Sequence, residues 1–161
     1  MTVTYEKDYG LWAEQMADLL ETGQFAELDI KNLVEEVRDL SKRERDRLLS
    51  SLRLIVQHLL KWDYQPHRRS RSWQGTIQRE RANIDLYLED SPSLKRYLTD
   101  EWLHKIYKIA YTDAFRETGL EFPETCPYVI NDVLNRSLSL ALVLDDVADL
   151  TARDRNLTNL G

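Results

Sequence analysis

The chain has 161 residues, 42% hydrophobic and 31% charged, with a net charge of −6 and a single cysteine. This is the composition of one globular domain, and it excludes an intramolecular disulfide and a cysteine–histidine zinc framework. No basic-then-apolar leader opens the sequence and no run reaches the ~18 apolar residues of a membrane span, so a soluble cytoplasmic protein is expected.

Five glycines and four prolines leave long uninterrupted stretches, and no strand-like alternation bounded by hairpin turns is present, so the elements read as helices. A first helix is expected from about Thr4 to Thr22, with Tyr5, Tyr9, Trp12, Met16 and Leu19 on one face and Gly23 as its left-handed stop. Asp29 is placed to cap a second helix through Leu40. Ser41 and Glu44 form the S-x-x-E pattern of a capping box and predict a new start. The third helix then carries Leu48, Leu52, Ile55, Leu59 and Trp62 at helical spacing, widened by Leu49, Val56 and Leu60, and must end before Pro66.

Ser72 is expected to cap a fourth helix containing Trp73, Ile77, Ile84 and Leu88. Ser91 followed by Pro92 predicts a fifth, bearing Leu94, Leu98, Trp102, Ile106, Ile109 and Ala110, with a break marked near Thr99 and Asp100 and a stop at Gly119. Pro127 is placed to start a short helix, and the apolar stretch from Leu138 to Leu144 reads as another. The expected fold is a single compact all-α bundle of five to six helices around the central hydrophobic helix of residues 42–63. Residues 1–135 form its one domain, and residues 136–161 an apolar C-terminal tail.

Residues 58–73, "HLLKWDYQPHRRSRSW", concentrate the chemistry-bearing side chains. Trp62 and Trp73 are expected as packing anchors on either side of the Pro66 corner, with His58 at the edge of the apolar face. His58, His67 and His104 are not spaced as a metal-binding pair. Arg68, Arg69 and Arg71 precede a helix start, where guanidinium groups and free amides suit an anion. Residues 41–81 hold eleven Lys and Arg against four Asp and Glu, while the rest of the chain is strongly acidic. The arginines are therefore expected to find internal carboxylates, with Glu35, Glu36 and Asp39 as the nearest candidates. Those three acids also share a helix face, as divalent-metal ligands of helical nucleotide pyrophosphatases do, but the following helix lacks the second acidic pair. Cys126, in "TCPY", reads as a small buried residue at a helix start, where a lowered thiol pKa is the alternative.

The stretches "DYGLWAEQMADLLETGQFAELDIKNLVEEVRDL", "HLLKWDYQPHRRSRSW" with "DSPSLK", and "AYTDAFRETGLEFPETCPY" resemble a bacterial family called domain of unknown function 29. They span residues 8–128. The resemblance implies a compact all-α fold and carries no activity, cofactor or catalytic residue with it; the tail lies outside it. The expected function is accordingly a non-enzymatic interaction module, without a cofactor, whose partner is another protein or a second copy of the chain, engaged through charged faces and the apolar tail. Two alternatives stand beside it. One is a nucleic-acid or phosphate binder using Arg43, Arg45, Arg47, Arg68, Arg69 and Arg71; the other is a metal-dependent nucleotide pyrophosphohydrolase using Glu35, Glu36 and Asp39.

Overall fold

A computed structural model describes residues 4–140, and every regular element among them is helical. The protein is all-α. The chain divides between Glu44 and Arg45 into two units.

In the first unit, α1 (Tyr9–Glu21) starts later than Thr4 because Asp8 provides the cap, its Oδ1 accepting from Leu11 N at 3.0 Å. Thr4–Asp8 forms a turn instead, with Lys7 N donating to Thr4 O. Gly23 takes the expected left-handed conformation, φ 73°, and Gln24 N returns to Leu19 O at 2.9 Å. A 3-10 turn, Phe25–Glu27, leads to α2 (Ile30–Tyr64), whose first turn is capped by Asp29 through Asn32 N at 3.3 Å.

The predicted break at Ser41 does not occur, and the second and third expected helices are one helix of 35 residues. The segment contains neither proline nor glycine, and a serine inside a helix costs only tenths of a kcal/mol, whereas a break leaves several backbone groups on each side without partners. Asp39 and Lys42, 2.7 Å apart at i, i+3, bridge the position where the break was expected.

In the second unit, the C-terminal part of α2 is the centre of the core. Leu48, Leu52, Ile55, Val56, Leu59 and Leu60 are fully buried and pack with Ile77 and Ile84 of α3 (Arg71–Asp90) and with Leu103, Ile106 and Ala110 of α4 (Asp100–Thr118). The central helix is therefore where its apolar spacing put it. Ser70, not Ser72, caps α3, its Oγ accepting from Trp73 N at 3.2 Å. The helix expected from Ser91 to Glu117 begins as a 3-10 segment, Pro92–Tyr97, and restarts at the marked break, where Thr99 caps α4 through Trp102 N. Gly119, φ 70°, closes it as expected. Pro127 does not start a helix; the chain is extended at Val129 and α5 runs Ile130–Asn135. Residues 136–140 are irregular, so the start of the expected helix at Leu138 is not helical, and its remainder lies outside the described residues.

Leu52→Ala and Ile55→Ala should each lower the free energy of unfolding by about 2–5 kcal/mol, because each empties fully buried volume in the core. Leu86→Ala, on an exposed position of α3, should change it by less than about 0.5 kcal/mol. Equal losses for all three in urea titrations would show that α2 is not the centre of the core.

Candidate functional site

At the Pro66 corner, Trp62 is buried and Arg69 covers it from the far side of the turn. The expected partner of Arg69 was a carboxylate of residues 29–40; instead its Nε donates to Trp62 O at 2.8 Å while the guanidinium lies 5.3 Å from the centre of the indole ring. A planar cation can close a helix end by satisfying an orphan carbonyl and stacking on a ring at once. Trp73 is half-buried and is met by Lys61, whose Nζ stands 4.9 Å from its ring. Each tryptophan is thus capped by a cation of the corner. Arg68 and Arg71 are exposed.

His58 Nδ1 is 2.8 Å from Leu54 O, so the neutral ring carries its proton on Nδ1. Burial pushes its pKa below the ordinary value, ahead of the opposing backbone bond. Sequence reasoning missed the polar centre beside it. Glu117 Oε2 receives Lys61 Nζ at 2.6 Å and its Oε1 receives Gln57 Nε2 at 2.8 Å, and the bond from Lys61 holds the Glu117 carboxyl below the usual carboxylate range. Lys61, in the last turn of α2, has a side chain only 9% exposed.

Two further centres were equally invisible in the sequence. Asp63 takes a bidentate pair from Arg136, at 2.8 and 3.1 Å, and the Tyr128 hydroxyl at 2.8 Å. Burial, reinforced by the Asp63 charge, raises the Tyr128 pKa. Arg81 donates to three carbonyl oxygens at the end of α5, those of Asp132, Val133 and Arg136. Cys126 is not at a helix start, and burial raises its thiol pKa, the reverse of an activated thiolate. Leu138 is half-buried on the second unit's core, and its carbonyl accepts from Gln74 Nε2.

The acidic face of α2 in the first unit is already engaged. Glu36 accepts the Tyr5 hydroxyl at 2.6 Å and the Tyr9 hydroxyl at 2.8 Å, with Arg43 3.7 Å away, and these phenols keep its pKa low while Tyr5 is pushed up to about 12. Asp39 is held by Lys42, and Glu35 is exposed. Among the described residues no three His, Cys, Asp or Glu side chains are grouped as metal ligands. Of the basic candidates, Arg45 is paired with Asp46 and Arg47 lies over the Tyr87 ring.

The other face of the first unit is apolar and open. α1 and the start of α2 lie antiparallel, joined by Trp12 Nε1 to Asp29 Oδ2 at 3.2 Å and by Tyr9 to Glu36. A groove runs along the seam, with Ala13, Ala17 and Leu20 on one wall and Leu33, Val37 and Leu40 on the other. It continues past Ile30 and Val34 toward the turn. Ile30 is 56% exposed, Val37 63% and Leu40 58%. No helix among the described residues is long and apolar enough to cross a membrane.

Fold and surface together define an all-α protein whose polar centres are engaged in its own packing and whose first unit presents an open apolar groove. The chain belongs to the family described as domain of unknown function DUF29, whose model matches residues 4–139, further than the three quoted stretches reach. No curated protein and no solved structure matches it.

Two measurements check the polar centres. Asp63→Ala strands the Arg136 guanidinium and the Tyr128 hydroxyl, both partly or fully withdrawn from water, and should destabilise the second unit by about 2–3 kcal/mol. Glu117→Gln should lower the melting temperature at pH 7 by leaving Lys61 without its counter-charge. The folded pKa of Glu117 is depressed, so its contribution is complete above its ordinary value of 4.5 and is lost as pH falls through the folded value. The gap between wild type and Glu117→Gln should therefore close on acidification below about pH 4.5. A gap that stays constant from pH 7 to pH 3 contradicts the pairing.

Proposed function

We propose that this protein is a non-enzymatic, cytoplasmic protein–protein interaction module, and that the apolar groove of the α1–α2 hairpin is the surface that engages the partner. The observation that carries this reading is the stripe of Ile30, Val34, Val37 and Leu40. These residues recur at helical spacing on one face of α2 and are all more than 40% exposed. Scattered apolar residues on a surface need no explanation, but a contiguous stripe rimmed by charge is the usual form of a docking surface. Of the residues considered for metal-dependent catalysis or for binding nucleic acid, Glu36, Asp39, Arg43, Arg45 and Arg69 have partners within the protein, while Glu35, Arg68 and Arg71 are exposed.

A photo-reactive benzoylphenylalanine placed at Val37, and separately at exposed Leu86 of α3 as control, tests this in the cells that make the protein. Irradiation should give a discrete protein adduct from position 37 and none from position 86. Absence of any adduct at position 37, or the same diffuse adducts at both positions, would sink the proposal.

A further inference from the structure

Resting on that reading of the groove, we infer that its occupant is a second copy of the same chain, docked groove to groove about a two-fold axis that runs along the hairpin. The reason is the distribution of charge on the two outer edges. With 3.6 residues per turn, the wall of α1 formed by Ala13, Ala17 and Leu20 is followed, moving away from α2, by Glu14 and Glu21. The wall of α2 formed by Ile30, Val34 and Val37 is followed, moving away from α1, by Lys31 and Arg38, and Arg38 itself lines the groove. All four are exposed. The groove thus has one acidic edge and one basic edge, each a pair of like charges seven residues, or about 10 Å, apart.

A two-fold axis parallel to the helices sets α1 of each copy over α2 of the other. Acidic edge then meets basic edge on both sides, with the two turns at the same end. All four neighbouring helix pairs run antiparallel, as an up-down four-helix bundle requires. The perpendicular axis sets α1 over α1 and α2 over α2, which brings Glu14 and Glu21 against their own copies and Lys31 and Arg38 against theirs. Like charges across an interface oppose docking, so charge selects the first arrangement. The same operation puts Leu20, Leu33 and Val37, which lie along the middle of the seam, at the centre of the interface. An isologous contact of this kind needs no feature that one chain does not already have.

Sedimentation equilibrium of the full chain should give twice the chain mass. Val37→Asp should weaken the dimer at least about 100-fold, with helix content unchanged, because two uncompensated carboxylates would enter the apolar seam. Reversing the acidic edge, Glu14→Lys with Glu21→Lys, should weaken it about tenfold or more, as should reversing the basic edge, Lys31→Glu with Arg38→Glu. Mixing the two reversed chains should restore association as a heterodimer. Salt should weaken the wild-type dimer and strengthen each reversed homodimer. Edge reversals that leave the wild-type affinity unchanged would overturn the arrangement, since the perpendicular axis predicts that result. A chain that stays monomeric at its highest soluble concentration, with the Val37 photo-adduct formed on a different protein, overturns self-pairing while the interaction reading stands. No adduct at all overturns both.

Discussion

A helix without an exposed position has no face on which to leave its polar residues, and α2 is such a helix over residues 51–62. Ser51, Gln57 and Lys61 are buried among its leucines, and Asp63 follows one turn after Leu59 and Leu60. None can be left without a partner at a tolerable cost, so each must be answered by a neighbouring element. Ser51 donates to the buried Glu80 of α3; Gln57 and Lys61 hold Glu117 of α4; Asp63 holds Tyr128 and Arg136 on either side of α5. Apolar packing brings these elements to α2, but it is tolerant of small slips. A carboxylate held by two or three fixed donors is not, and these bonds give each neighbour one register. The Tyr128 of "CPY" and the tryptophan and arginine of "HLLKW..QP..R" thus have structural work that needs no ligand to explain it.

What was legible in the sequence follows the range of the physics. Apolar spacing and local stop signals are short-range, and they located the core of α2, the Gly23 and Gly119 stops and the break at Thr99. Ser41 and Glu44 failed as a start because a local cap is a weak preference, and 35 residues without proline or glycine outweigh it. Ser70 and Ser72 were two serines with the same chemistry, and which one caps depends on the path of the chain leaving the Pro66 turn. The polar centres were not legible at all. Lys61 and Glu117 are 56 residues apart and Asp63 and Arg136 are 73 apart. Periodicity reveals that a face is buried and not which carboxylate lies opposite it, so abundant acids in residues 29–40 looked like equally good partners for the arginines.

The start of α2 obeys a different rule. It is covered on one side, by Trp12 and Met16 of α1, and its remaining circumference meets water. Its acids can stay solvated or find local partners, as Asp39 does in Lys42. Glu36 is the exception, facing α1 and taking two phenol hydroxyls that tie Tyr5 and Tyr9 to the helix. Each Glu36 oxygen keeps a lone pair after accepting one phenol, but among the described residues no two further His, Cys, Asp or Glu side chains gather with it as metal ligands.

The composition of the open face is not explained by folding of the single chain. Ile30, Val34 and Val37 are β-branched, and such residues are weaker helix formers than the Lys, Glu or Arg found on solvated faces, by a few tenths of a kcal/mol each. Being largely exposed, they return little of that through burial within one molecule. A first unit of 44 residues, whose fully buried apolar side chains among the described residues are Trp12 and Met16, is close to the ~40-residue size below which a domain rarely stands on its own core. Exposed apolar surface on so small a unit opposes solubility without adding to its interior. Both costs vanish together when the face is covered, because burial of the stripe then supplies the apolar area the unit lacks. Association then adds to the stability of a hairpin that is already formed, and that stability rises with the concentration of whatever covers it.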